Sequence, residues 1–523
     1  MPADQPPTPT TGSLSASRAN AARGAASERE LTLDPEDWDT MRALGHRMVD
    51  DVMSMLQHVR GDPAWRPVPA DVAERLRLPV PRSGQRAEHA YADFRDLVLP
   101  YRTGNIHPRF WGRVMGTGTA LGALTGMLTA ALNDNVSTID SAASHVEGQV
   151  LAWCREIMGF PAGASGVMVS GCSTANLIGL AVARDVRAGF DVHARGLAGG
   201  PAMTVYCSEE THNSVHRAVA VLGLGMDAVR RITTDHNCEI RLDELEDAIT
   251  RDLAAGLRPF CIVGNAGTVG TGAIDNLSAL AAIARERGLW FHVDGAFGAV
   301  AALSPTLRQR LAGMEQADSL AFDFHKWLHV PYSAAAVLVR NQAAHRRTFA
   351  SSSAAYLGLA ERGAEADPFR WNELGVELSR EARAVGVWML LKEHGTELLG
   401  RLVEQNVAQA RYLADLVRAN PNLQLLAPVA LNIVCFRYAR AGVPSDAMDA
   451  VNSEILARLQ ESGVAVPTRT RIGNRFGIRV AITNHRSVRA DFELLVESVI
   501  ALGSSVVQEH REHREHRERT ERS

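Results

Sequence analysis

Residues 260–295 read FCIVGNAGTVGTGAIDNLSALAAIARERGLWFHVDG. Two short apolar runs, FCIVGNA and LWFHVDG, enclose a helical stretch, LSALAAIARERG. Strand, glycine-rich turn, helix and second strand make one βαβ unit, which needs its strands parallel and its helix laid on the sheet. The alternation continues outward: GVMVS (166–170) and AMTVYCS (202–208) precede the unit, and SLAFDF (319–324) and AAAVLV (334–339) follow it. Helical segments such as ANLIGLAVARDVRAG (175–189) separate most of them. The pattern predicts an α/β fold with a mostly parallel central sheet and helices on both faces.

The flanks differ in character. Residues 1–30 are rich in Pro, Thr, Ser and Ala, lack apolar periodicity, and are expected to be disordered. Residues 31–115 read as a helical segment, with WDTMRALGHRMVDDVMSMLQHV (38–59) a clear amphipathic run. The large domain is expected over 116–395. Long helices (379–420) then lead into a smaller α+β unit over 396–505, which carries NIVCFRY (432–438), FGIRVAIT (476–483) and the helix RADFELLVESVIALG (489–503). Residues 506–523 form a charged tail that extends the last helix or stays loose. Its His510, His513 and His516 share a helical face, but no carboxylates cage them and arginines flank them, so no metal site is expected.

Bulk properties exclude several classes. Hydrophobic residues make up 46% and charged ones 22% of the 523, enough for a large core. A net charge of −4 gives no bulk attraction to nucleic acid or an anionic membrane. No apolar run of about 18 residues is present, so no membrane span is expected. Six scattered cysteines without a C-x-x-C pair suggest neither zinc nor disulfides and point to a reducing cytoplasm.

In an open parallel sheet, ligands bind beyond the carboxyl ends of the strands. Lys326 lies just past SLAFDF among apolar and aromatic neighbours, which would lower its pKa and free a nucleophilic amine; the plainer alternative is a lysine snorkelling from a strand end. Asp294 closes LWFHVD, as an anion for a ring nitrogen or as a turn residue. SGCSTANLIGL (170–180) opens a helix where Gly171 permits the turn and Ser173 or Thr174 caps it, so backbone N–H groups could hold a phosphate. His212 follows AMTVYCS, where it could stack on a ring or be structural, and Thr268 follows FCIVGNA. A lysine amine, a ring-nitrogen carboxylate, a phosphate cup and a flat group are together what pyridoxal 5′-phosphate (PLP) requires.

These residues resemble the group II PLP-dependent decarboxylases, the family of aromatic L-amino acid, tyrosine, histidine and glutamate decarboxylases. The resemblance spans residues 90 to 500 or so. It is most specific in the triplets HVD (292–294) and HKW (325–327), whose Asp294 and Lys326 stand 32 positions apart. It implies fold type I, the aspartate aminotransferase-like architecture, and a homodimer with its active site at the subunit interface and residues 31–115 packed on the partner. Residue by residue, it implies that Lys326 holds the cofactor, Asp294 pairs with the ring nitrogen, Ala296 and His212 cover the two ring faces, and Thr268 lies near the ring hydroxyl. Gly171, Cys172, Ser173 and His325 would hold the phosphate, leaving the Cys172 thiol close to it. Ser379 would reach the neighbouring subunit's phosphate. Tyr356 matches a loop tyrosine that protonates the substrate carbon, and relatives lacking it deaminate oxidatively.

The segment HPRFWGRVMG (107–116) corresponds to the family's substrate-facing stretch. Phe110 and Trp111 would wall an aromatic side chain, while Arg113 could meet an acidic one or bridge subunits. The expectation is decarboxylation of an aromatic L-amino acid, with an acidic substrate, another PLP lyase or amine-oxidising reaction, or a non-catalytic scaffold as alternatives.

Overall fold

The computed structural model describes residues 30–350, 362–364, 366, 368–441 and 444–522. Seven strands form the large sheet: β1 (Ser165–Val169), β2 (Met203–Ser208), β3 (Val229–Ile232), β4 (Arg258–Asn265), β5 (Trp290–Asp294), β6 (Ser319–Asp323) and β7 (Ala335–Val339). Their order is β1-β7-β6-β5-β4-β2-β3. Neighbours from β6 through β5, β4 and β2 to β3 pair parallel, while β7 runs antiparallel to both β6 and β1. Every strand except β7 therefore points the same way.

Burial explains the sequence pattern. All residues of β1, β2, β5, β6 and β7 are buried, as expected of strands covered on both faces. Each fully buried Val, Leu, Ile or Phe there stabilises the sheet by roughly 1.5–3 kcal/mol. β3, VRRI, interrupts its apolar residues with two arginines because it is an edge strand, exposed on one side.

Four further strands, β8 (Leu423–Leu425), β9 (Ile433–Tyr438), β10 (Thr468–Ile472) and β11 (Arg475–Ala481), make a separate antiparallel sheet in the order β10-β11-β9-β8. Phe436, Tyr438, Ile455, Phe492 and Val499 fill its core. The helical run leading to it, Arg383–Ala419, breaks at Gly395, whose φ of 67° and ψ of 166° are not helical. The final helix, Arg489–Arg522, takes in the charged tail. Chain contacts divide the molecule into two compact units at Asp50/Asp51, and both sheets lie in the second.

Candidate active site

β1, β2, β4, β5 and β6 all end on one side of the sheet, and the residues just beyond those ends line one cavity of about 690 Å3. Gly171, Ser173, His212, Thr268, Asp294 and Lys326 are among its lining.

Lys326 emerges three residues past β6, and its Nζ lies 2.8 Å from Asp323 Oδ2. Burial is the largest single influence and would lower the pKa of this amine, but Asp323, Cys172 and Asp294 together outweigh it and the net direction is upward. The expectation of a lowered pKa is thus corrected: the apolar neighbours are present, but the last residue of β6 supplies an anion. The indole of Trp327, next in sequence, is fully buried and donates to Asn406 Oδ1 at 2.9 Å, which anchors the turn.

Asp294, the last residue of β5, is 5% exposed. Its Oδ2 accepts from Asn176 Nδ2 at 2.9 Å, and its Oδ1 accepts from the Ala296 N–H at 3.1 Å. The helix Cys172–Arg187 begins directly after Gly171. Its first donor, the Cys172 N–H, is taken by Asp323 Oδ1 at 2.7 Å, whereas the exposed Ser173 lines the cavity. The Cys172 thiol points to Asp294 Oδ1, 3.7 Å away, and burial raises its pKa well above the usual thiol value. Cys172 lines the same cavity, with its thiol directed at the Asp294 carboxylate.

His212 caps the next helix, its Nδ1 accepting from the Ser214 N–H, and burial lowers its pKa. Thr268 is buried, 3.1 Å from Thr271 Oγ1, and Ala296 and His325 also line the cavity.

Other expected residues fall elsewhere. Trp111 does not line the cavity. Its indole donates to Ser487 Oγ at 3.1 Å and stacks on Phe492, 5.1 Å between centroids, in the core of the small sheet. Phe110 also lies outside the lining, its ring against Gly112 and its backbone bridged to Val466. The aromatic walls expected from these two residues are therefore absent, and the next turn of the same segment supplies Arg113, Val114 and Met115 instead. Arg113 has a positive φ of 57°. Ser379 is exposed on a segment outside the cavity, and Tyr356 lies outside the described residues.

Sequence reasoning missed Asp323, Tyr332, Asn176 and Arg479. Arg479, on β11, lines the cavity at 5% exposure. Its Nη1 donates to Thr468 Oγ1 at 3.1 Å, while Nε and Nη2 have no partner among the described residues. A buried guanidinium with unused donors is an anion receptor. An arginine inside the apolar strand FGIRVAIT was its one sequence signal, and Asp323 had the same signal inside SLAFDF.

An amine, a carboxylate, a helix start that presents Ser173, and an imidazole around one cavity fit PLP by donor chemistry. Residues 69–439 match the pyridoxal-dependent decarboxylase conserved domain. The chain belongs to the pyridoxal-dependent decarboxylase family. It is 30% identical to an aromatic-L-amino-acid decarboxylase of Bacillus atrophaeus, over 90% of this chain and 96% of that one. It is 28% identical to a phenylacetaldehyde synthase of Arabidopsis thaliana, over 89% and 97%. Among solved structures it resembles mouse CSAD (TM-score 0.82, 26% identity, covering 89% and 99% of the two chains). It also shares the fold of Oryza sativa TDC with PLP and tryptamine (TM-score 0.83, 24% identity, covering 91% and 100%). This decarboxylase is a carboxy-lyase of fold type I, and its cofactor is PLP.

Proposed function

We propose that this decarboxylase converts an aromatic L-amino acid to its amine and CO2. The observation that carries the reading is the convergence of the Lys326 amine, the Asp294 carboxylate and the unpaired N–H groups of Arg479 on one cavity. Val114, Met115, Val269 and Phe297 give that cavity an apolar side, and the Bacillus atrophaeus relative acts on aromatic amino acids by its name.

When bound, PLP supplies an electron sink for the bond that breaks. Lys326 would hold the cofactor aldehyde. Asp294 would serve the ring nitrogen, Ala296 and His212 the ring, and Thr268 its hydroxyl. Ser173, Gly171, the Cys172 backbone and His325 would receive the phosphate, with Asp323 giving up the Cys172 N–H. Arg479 would take the substrate α-carboxylate by charge-assisted hydrogen bonds and so orient the substrate. Tyr356 or His212 delivers the proton to the substrate carbon, and a closed, dry site keeps water from competing.

A second reading rests on Arg113 and Arg469. Both line the cavity, and neither guanidinium has an ion pair or hydrogen bond among the described residues, so either could meet an acidic side chain. A panel of L-amino acids scored for CO2, amine, aldehyde and hydrogen peroxide decides. CO2 and amine from Phe, Tyr or Trp support the proposal. Turnover of Glu or Asp that vanishes in Arg113→Gln selects the second reading, and aldehyde with peroxide selects oxidative chemistry.

The active form proposed is a cytoplasmic homodimer in which Ser379 reaches the neighbouring phosphate and residues 31–115 pack on the partner. The domain limits proposed are 116–395 and 396–505. All six cysteines are free, and no helix among the described residues is long and apolar enough to cross a membrane.

A further inference from the structure

Behind the cavity lies a chain of polar side chains that the reaction itself does not use. Asn176, Ser214, His292, Ser319 and Trp290 are each at most 4% exposed. Trp290 Nε1 lies 2.8 Å from Ser319 Oγ, and Ser319 Oγ lies 2.8 Å from His292 Nδ1. His292 Nε2 lies 2.9 Å from Asn176 Oδ1. Asn176 Nδ2 lies 2.9 Å from Asp294 Oδ2 and 3.0 Å from Ser214 Oγ, and Ser214 Oγ lies 2.8 Å from His212 Nδ1.

Donor and acceptor chemistry leaves this chain one direction. An indole nitrogen only donates, so Ser319 Oγ accepts from it and turns its own proton to His292 Nδ1. A carboxylate presents only acceptors, so the Asn176 amide must show Asp294 its NH2 and show His292 its oxygen. His292 therefore carries its proton on Nε2. The second Asn176 N–H goes to Ser214 Oγ, whose proton turns to His212 Nδ1. The Ser214 backbone N–H, also aimed at that nitrogen, enforces the same result. His212 is left with its proton on Nε2.

Burial lowers the pKa of His292 to about 4, so the ring stays neutral and single-tautomer near neutral pH. The helix Cys172–Arg187 is shaped for this ring. A Cβ at Gly179, three residues from Asn176 on the same helix face, would lie 2.7 Å from His292 Cε1.

We propose that Asn176, held by His292, is a positioning residue for two groups that contact the cofactor ring: it aims Asp294 at the ring nitrogen and, through Ser214, fixes the His212 proton on Nε2. This rests on the reading that PLP binds in this cavity with Asp294 at its ring nitrogen and His212 against its ring. Trp290 and Ser319 anchor the far end, so one side chain couples the two ring contacts.

Dissociation constants for PLP and for 1-deaza-PLP, whose ring carries CH in place of nitrogen, test this on the purified chain. His292→Leu removes the donor, while His292→Gln retains an N–H near the same place. His292→Leu weakens PLP by about tenfold or more, the worth of a hydrogen bond to a charged group, and His292→Gln stays close to wild type. With 1-deaza-PLP the three proteins bind alike, because no ring nitrogen remains to be served. In 15N NMR, the wild-type His212 signal is that of a single Nε2–H tautomer, and a proton found on Nδ1 overturns that half of the proposal. Equal PLP affinity in wild type and His292→Leu, or equal losses for both cofactors, overturns the proposal. Asn176→Ser carries the same comparison should the leucine variant not fold. A wild-type chain that binds neither cofactor refutes instead the reading of the cavity as the PLP site.

Discussion

At the scale of single residues, the site depends on anions and cations placed where water is excluded. Among the described residues, Nε and Nη2 of Arg479 have no partner at 5% exposure, a cost that a substrate carboxylate would repay with charge-assisted bonds. Arg479→Gln is expected to lower kcat/KM by tenfold or more, with PLP affinity unchanged. Parallel measurement of steady-state kinetics and cofactor dissociation checks this, and a loss in PLP affinity of similar size would place Arg479 on the cofactor instead. Asp323 gives a second expectation. As the nearest anion to Lys326, it holds the amine protonated before cofactor arrives. Asp323→Asn should therefore speed covalent capture of PLP near neutral pH, read as the rate of the absorbance change after mixing.

At the scale of elements, the cavity is made by strand ends and helix starts, and these were also the most legible parts of the sequence. The runs that became β1, β2, β4, β5, β6 and β7 stood out because strands buried on both faces need unbroken apolar residues. β3 and β10 did not, because VRRI and TRTRI lie at sheet edges and are broken by arginines. Lys326, Asp294, Gly171, His212 and Thr268, at or just past strand ends, were legible as candidates by position and do line the cavity. Arg479 belongs to a distant strand of the other sheet, so no local pattern connected it with Lys326. Phe110 and Trp111 misled because composition does not tell which way a side chain points on an extended segment. The break at Gly395 offers a test confined to one element. Its φ of 67° suits glycine, and a Cβ there would meet nothing within 4 Å, so only backbone strain opposes a substitution. Gly395→Ala should cost about 1–2 kcal/mol by denaturant unfolding and leave kcat unaltered.

At the scale of the whole molecule, the helix Ala120–Leu132 is highly apolar yet buries only Thr125, while Met127, Leu128 and Leu132 are more than half exposed. Val376 and Leu378, close to Ser379, are each 55% exposed. Apolar surface of this kind suits a second copy of the chain. If the proposed homodimer covers this face, Leu128→Glu lowers the mass measured by light scattering to that of a monomer, and an unchanged mass contradicts that placement. Protonation gives another global readout. His345 is buried between Ser165 Oγ and Leu374 O, and burial lowers its pKa to about 4 from an ordinary 6.5. Between those values the unfolded chain binds a proton that the folded chain refuses, so this residue's contribution to stability is present above the upper value and lost as pH falls. Thermal melts should find His345→Gln closer to wild type, or above it, at acid pH than at neutral pH.

The central claim concerns one covalent attachment, and the composition makes it unusually easy to check, since the chain has only two lysines, Lys326 and Lys392. Lys392 lies over the ring of Trp388 in the helix Arg383–Ala419, apart from the cavity lining. Borohydride reduction of the PLP-loaded protein followed by peptide mapping should place the pyridoxyl group on Lys326 alone and find none in Lys326→Ala. A label on Lys392, or no label on the wild-type chain, would contradict the account.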